Sequence, residues 1–123
     1  MLGSSELVAF VGTTDAARAR TFYVDVLGLE HVEASRYADV YRAGNATVRV
    51  ARVDAVAAAP YTVLGFVVDD AAAAVDALAA RGVETVRYPQ QGQDARGIWR
   101  APSGARVAWF NDPDGNLLSL TER

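Results

Sequence analysis

The side chains that could perform chemistry are few in this chain of 123 residues. His31 is the single histidine and cysteine is absent, which excludes disulfides, thiolate catalysis and zinc–cysteine sites. His31 could act as a general base, although we favour a partly exposed surface histidine at the edge of a strand. A metal site with two histidine ligands is impossible.

Large aromatic residues and an arginine are better candidates for binding a ligand. Trp99 and Trp109 each offer a flat apolar face and one N–H donor, although core packing or a dimer contact would also explain them. Tyr37 could line the mouth of a cavity or cover a sheet edge. Arg49 alternates with valines, so it could hold a carboxylate or lie on a solvated face. Ser119 could donate a hydrogen bond to a ligand or simply fill space.

Two polar segments need no ligand to explain them. The stretch DPDG at 112–115 is acidic, but Pro113 fixes φ, Gly115 accepts a positive φ and Asp112 accepts bonds from following amides. This chemistry predicts a turn. The stretch QQGQDARG at 90–97 predicts a mobile loop that could cover a cavity.

The first half of the chain has the pattern of a strand, a helix and three strands. The apolar run at 6–12 predicts a strand. Apolar residues at helical spacing then predict a helix from a cap at Thr14 or Asp15 to a stop at Gly28. The next strands are expected at 30–35, 38–43 and 47–53.

The same order returns in the second half. A strand at 61–69 and a helix at 70–82 are followed by a strand at 83–89, a hairpin of 97–102 and 105–111, and a short last strand. A repeat of this length indicates a duplicated unit. We therefore predict one domain, 1–123, made of module one (5–53), an Ala-rich linker (54–60) and module two (61–123).

The expected fold class is α+β. Two βαβββ modules laid side by side can curl their sheets into a half-open mixed β-barrel with the helices outside. The concave side of such a barrel is a natural cavity for a ligand.

Composition excludes several classes of partner. The formal net charge is −3, lysine is absent and the arginines are scattered, so we expect no binding to nucleic acid. No stretch approaches the roughly 20 apolar residues of a membrane helix, so we expect no membrane association. We see no signal peptide in MLGSSELVAF, and a cytoplasmic protein is the expectation.

Three stretches carry a resemblance to a known family. They are TTDAARARTFYVDVLGLE at 13–30, FVVDDAAAAVDALAARGVE at 66–84 and WFNDPDGNLLSL at 109–120. With them the chain resembles the vicinal oxygen chelate superfamily, also called the glyoxalase, bleomycin-resistance and extradiol dioxygenase superfamily. The resemblance implies paired βαβββ modules and a homodimer. In metal-dependent members it implies one divalent cation held by residues of both modules.

The metal positions implied by the resemblance fall on residues that cannot bind a cation. The position on the first strand falls at Val8, that on the first strand of the second module at Val63, and that on the last strand at Ser119. Valine has no donor atom and a single hydroxyl is a weak ligand. We therefore expect no metal cofactor. A cavity floor of Val8, Val63 and Phe10 would be apolar and would suit a hydrophobic or aromatic ligand.

Three functions stay open at this point. The favoured one is a small-molecule-binding protein without metal catalysis, which sequesters an aromatic compound or an antibiotic. The second is a lyase, isomerase or dioxygenase-type enzyme that recruits a metal through other residues, such as Glu33, Asp39 or Glu122. The third is an interaction module with a vestigial cavity. The favoured function predicts no catalytic residue, and the following ligand-binding residues: Val8, Phe10, Tyr37, Arg49, Val63, Trp99, Trp109 and Ser119.

Overall fold

Each half of the chain forms a four-stranded mixed sheet and one helical segment. The computed structural model describes residues 1–123 and divides them into two units, residues 1–57 and 58–123. The boundary between the units lies within the Ala-rich stretch at 54–60. The fold is α+β with two βαβββ-like modules, as the repeat in the sequence predicted. Neither helical segment is of a length and hydropathy that would let it cross a bilayer.

The first unit contains β1 (Val8–Thr13), α1 (Ala16–Arg20), a π-helical segment (Thr21–Val26), β2 (Glu30–Ala34), β3 (Ala38–Ala43) and β4 (Ala46–Arg52). The strand order is β1-β4-β3-β2. β1 pairs with β4 in parallel, and the other neighbours are antiparallel. β1 and β2 are therefore the two edges of this sheet, which we call sheet A.

The helix of the first unit begins and ends where the sequence predicts. The Asp15 carboxylate accepts a hydrogen bond from Arg18 N at 3.0 Å, which caps the first turn. The helix continues into the π-helical segment, and Leu27 N donates to Phe22 O, five residues back, at 2.9 Å. Gly28 then adopts φ 76°, a conformation that favours glycine, and the chain turns into β2.

The second unit contains β5 (Leu64–Val67), α2 (Ala71–Ala80), β6 (Trp99–Arg100), β7 (Arg106–Asn111) and β8 (Leu117–Glu122). The strand order is β5-β8-β7-β6, and we call this sheet B. β5 pairs with β8 in parallel, as β1 does with β4. Asp70 caps α2 by accepting from Ala73 N at 3.0 Å, and Glu122 accepts from Ala71 N at 2.9 Å.

Each sheet buries one of its faces. In sheet A the buried residues include Tyr41, Val48 and Val50, and the ring of Tyr41 stacks on that of Tyr23 with centroids 5.6 Å apart. In sheet B the buried face carries Ala108, Phe110, Leu118 and Leu120. Because side chains alternate along a strand, the residues between these face the other way. Those intervening positions include most of the predicted ligand-binding residues.

The strand predicted at 83–89 is wrong. This segment forms no regular strand, and one backbone hydrogen bond, from Val86 N to Trp109 O at 2.7 Å, joins it to β7. Its backbone is satisfied by side chains of the following loop instead. Gln93 Oε1 accepts from Tyr88 N at 2.7 Å, and Gln93 Nε2 donates to Val86 O at 2.8 Å. Arg87 donates to the carbonyl oxygens of Asp94 and Ala95.

Candidate functional site

The second face of sheet B brings two predicted site residues into register. Trp109 on β7 pairs with Ser119 on β8, and Ser119 pairs with Gly65 on β5. A Cβ atom at Gly65 would lie 3.1 Å from Ser119 Oγ, so the missing side chain leaves room beside that hydroxyl. Val63 lies just before β5 and donates its N–H to Leu117 O at 2.9 Å. Ser119 is nonetheless buried, with 8% of its surface exposed, on the strand between β5 and β7.

Three aromatic rings are clustered on this face. Trp99 pairs with Val107, which lies two residues before Trp109 and shares its face. The ring centroids of Trp99 and Trp109 are 6.0 Å apart with planes tilted by 30°. Tyr88 meets Trp109 edge to face, with centroids 5.3 Å apart and an angle of 89°. We call Tyr88, Trp99 and Trp109 the aromatic cluster.

The aromatic cluster was predicted only in part. The sequence places both tryptophans on the hairpin, but gives no signal for Tyr88, which was assigned to a strand. Both indoles are partly exposed, so neither is enclosed in the hydrophobic core. Partly exposed tryptophans can stack on a flat ligand, and the cluster is therefore the better-formed part of the candidate site.

The other predicted ligand-binding residues lie in the first unit. Val8 and Phe10 project from the same face of β1, with 46% and 64% of their surface exposed. Arg49 on β4 is the register partner of Phe10 and shares that face. Tyr37 lies in the turn before β3, where its hydroxyl accepts from Arg36 at 2.8 Å and its ring lies under the same guanidinium.

The residues of the family's metal positions do not fit a divalent cation. The same-face residues of β1 are Val8, Phe10 and Gly12, and those at and before β5 are Val63, Gly65 and Val67. On β8 the side chains of that face offer only the hydroxyls of Ser119 and Thr121. None of these three sets of residues contains an imidazole or a carboxylate. Elsewhere, no group of three or more histidine or acidic residues is placed to hold a metal.

His31 lies on the edge strand β2, but its side chain is largely covered and has a partner. Its Nε2 lies 3.0 Å from Asp39 Oδ1, its side chain is 16% exposed, and its ring centroid lies 5.2 Å from that of Tyr41. The second oxygen of Asp39 accepts from Arg52 at 3.2 Å. Both oxygens of the Asp39 carboxylate therefore have a side-chain partner. The three side chains form a hydrogen-bonded cluster on the buried face of sheet A.

The DPDG segment forms the predicted turn. Asp112 Oδ1 accepts from Asp114 N and Asn116 N, both at 2.9 Å, and its Oδ2 accepts from Asn116 Nδ2 at 2.8 Å. Asp112 N donates to Asn116 O at 3.0 Å, which closes the turn. Both carboxylate oxygens of Asp112 serve this turn, so the acidic stretch is explained by structure.

A cleft of about 550 Å³ lies beside α2 in the second unit. Two of its charged lining residues pair with each other: Arg96 donates to both oxygens of Asp76, at 2.9 and 3.1 Å. The hydrogen bond from Arg96 holds the pKa of the Asp76 carboxyl below its usual value. Because Asp76 and Arg96 satisfy each other and Arg87 donates to backbone carbonyl oxygens, we place the candidate ligand site at the aromatic cluster.

The comparison with known protein families agrees with the architecture. The model of the Glyoxalase/Bleomycin resistance protein/Dioxygenase superfamily matches residues 7–120. The chain therefore belongs to this superfamily. No curated protein matches the chain.

Solved structures of the same fold come from several bacteria. A glyoxalase family protein from Bacillus anthracis gives a TM-score of 0.79 at 17% identity, over 98% of this chain and 95% of that one. A superfamily member from Sphaerobacter thermophilus gives 0.76 at 22% identity and covers 100% of both chains. A lactoylglutathione lyase from Agrobacterium tumefaciens gives 0.75 at 21% identity, over 99% and 96%. At these identities the likeness establishes the fold alone.

Proposed function

We propose that this protein binds a small apolar or aromatic molecule and does so without a metal. The observation that carries the proposal is the replacement of the family's metal ligands by Val8, Val63 and Ser119, together with the aromatic cluster beside Ser119. Tryptophan faces bury large apolar area at small entropic cost, and one hydroxyl can orient the ligand. Sequestration of an aromatic compound or antibiotic is the form of binding that this site supports best.

Phe10 and Arg49 support the same proposal from the first unit. Phe10 is an exposed aromatic residue, and Arg49 beside it is free to offer a planar set of N–H donors to an acidic group of a ligand. Val8 and Tyr37 belong to the same proposed set. The positive charge of Arg49 would repel a metal cation bound on the face of sheet A that carries Val8 and Phe10, which is a further argument against a metal there.

The alternative is an enzyme of the lyase, isomerase or dioxygenase type. Its support is the fold, which it shares with a lactoylglutathione lyase. One fold of this kind hosts many functions, so the fold alone does not choose between them. Two of the other acids that were considered as metal ligands already form hydrogen bonds. Asp39 binds His31 and Arg52, and Glu122 accepts from the first backbone N–H of α2.

We also propose that the protein is a homodimer. Leu7, Val8 and Phe10 lie on or beside the edge strand β1 and are 81%, 46% and 64% exposed. An apolar edge strand that stays uncovered invites pairing with another chain. Sedimentation at micromolar concentration should give about twice the mass of the 13.1 kDa chain. A monomer would contradict this part of the proposal.

The metal content of the purified protein tests the main proposal. We expect no stoichiometric metal, and no change in melting temperature on chelation or on addition of Fe²⁺, Mn²⁺, Ni²⁺ or Zn²⁺. We expect indole, a neutral aromatic probe, to raise the melting temperature, because a ligand of the folded state stabilises it by mass action. A stoichiometric metal, or a clear shift with one cation, would make the enzyme the better hypothesis.

A further inference from the structure

A pocket of about 220 Å³ opens beside the aromatic cluster. Tyr61, Tyr88 and Trp109 line it, together with Pro60, Thr62, Gln91 and Leu117. No acidic or basic side chain contributes to the lining. The lining is therefore largely aromatic and carries no charge, and these two properties determine which chemical groups can bind in it.

Two of the three lining rings are in direct contact. Tyr88 and Trp109 stand at 89° to each other, so two walls meet at a right angle. Tyr61 supplies a third ring and is 67% exposed. A flat aromatic ligand would stack on one ring, whereas a compact, roughly spherical group fits the corner between Tyr88 and Trp109, with the more exposed Tyr61 also in the lining.

Hydrogen bonds hold these walls in place before a ligand arrives. Tyr88 N donates to Gln93, and the neighbouring Val86 N donates to Trp109 O at 2.7 Å. Two residues after Tyr61, Val63 N donates to Leu117 O and ties this segment of the backbone to the start of β8. Preorganised walls lose little conformational entropy on binding, which favours affinity for a small ligand.

We propose that this pocket is an aromatic cage for a small methylated ammonium group. The face of an aromatic ring attracts a cation within about 6 Å of its centroid, and quaternary ammonium groups are recognised in this way. The lining contains no arginine or histidine to repel the cation, and the side-chain oxygens of Thr62 and Gln91 can accept a hydrogen bond from a neighbouring hydroxyl. This inference rests on the proposed function and narrows its ligand to an apolar or aromatic molecule that also carries a methylated ammonium group.

Choline and its neutral carbon isostere, 3,3-dimethylbutan-1-ol, test the proposal directly. The two have the same shape and hydroxyl but differ in charge. Binding is measured by calorimetry and by tryptophan fluorescence, with sodium chloride added to match the ionic strength. We expect choline to bind about tenfold more tightly than the isostere, as two or three cation–π contacts would give. Equal affinities, or tighter binding of the isostere, would overturn the proposal.

A pair of variants locates the binding in this pocket. Tyr61→Leu removes one wall at an exposed position, and we expect choline to bind about fivefold more weakly. Tyr61→Phe keeps the ring and should bind choline as the wild type does. If Tyr61→Leu also binds as the wild type does, the cage is not the site.

The indole experiment separates this inference from the proposed function. Binding of indole without binding of choline would overturn the cage and leave the proposed function standing. A stoichiometric metal with choline preferred over its isostere would overturn the proposed function but support the cage. Binding of neither probe would count against both.

Discussion

His31 Nε2 lies 3.0 Å from Asp39 Oδ1, and the pair connects two neighbouring strands beneath sheet A. The Asp39 side chain is 6% exposed and also accepts from Arg52. A buried carboxylate of this kind is stable only because its partners replace the lost water. The pair is therefore a structural element of the first unit, and its contribution to the free energy of unfolding can be measured.

Removing the charge of Asp39 should destabilise the protein. We expect Asp39→Asn to lower the free energy of unfolding by about 1–3 kcal/mol, because it weakens the hydrogen bonds to His31 and Arg52. Urea unfolding measures the change. The matched control is Glu30→Gln, which removes an exposed carboxylate paired with Arg42 at 3.3 Å and should have little effect. Equal changes in the two variants would contradict this account of Asp39.

Tyr41 offers a prediction of the opposite sign. Its side chain is fully buried and its hydroxyl has no hydrogen-bond partner. Tyr41→Phe should therefore leave stability at neutral pH unchanged, or raise it by up to about 1 kcal/mol. A loss of more than about 1 kcal/mol would mean that the hydroxyl has a partner.

The pH dependence of stability tests the environment of Tyr41 further. Burial, and then the negative charge of Asp39, raise the pKa of the Tyr41 phenol above its ordinary value of 10.0. The phenol therefore loses its proton at a higher pH in the folded state than in the unfolded state. The contribution of Tyr41 to the free energy of unfolding is complete below about pH 10, and it is lost as the pH rises through the higher pKa of the folded state. Wild-type stability should fall more steeply than that of Tyr41→Phe above about pH 10. Parallel pH profiles would contradict the raised pKa.

Much of the fold could be predicted because its signals are local. The capping carboxylates of Asp15 and Asp70 and the left-handed Gly28 act within a few residues of their own position. The duplicated order of these signals then identified both modules. The DPDG turn was predicted for the same reason, since one side chain, Asp112, organises it.

The errors come from side-chain contacts that no sequence pattern specifies, although the residues involved are only five to eight positions apart. His31 and Asp39 meet because β2 and β3 pair with a bulge between His31 and Glu33, and no pattern in the sequence fixes that register. The residue types at 83–89 are typical of a strand, but the Gln93 side chain forms hydrogen bonds with Tyr88 N and Val86 O of this segment. The position of Tyr88 against Trp109 follows from that loop, so the sequence could not indicate it.

The loop that carries Tyr88 should depend on Gln93. Its side chain makes hydrogen bonds to Tyr88 N, Val86 O and Gly97 O at 2.7–2.8 Å. Gln93→Ala should cost about 1–2 kcal/mol and speed hydrogen exchange at the Tyr88 amide. Gln90→Ala, at an exposed position of the same loop, is the control. If the exchange rate at Tyr88 is the same in both variants, the loop is held by something other than Gln93.

Trp99 is the residue at which ligand binding and folding can be separated. Its ring contacts Trp109 but is partly exposed, so it should matter more to a stacked ligand than to the core. We expect Trp99→Ala to weaken indole binding about three- to tenfold, the loss of one aromatic contact.

The control for Trp99 is Phe110→Leu, on the buried face of the neighbouring strand β7. It should lower the free energy of unfolding by about 1–2 kcal/mol and leave the affinity of the folded protein for indole unchanged. Calorimetry and urea unfolding of both variants give the two quantities independently. If Trp99→Ala loses stability but keeps its affinity for indole, Trp99 packs the fold and the ligand binds elsewhere.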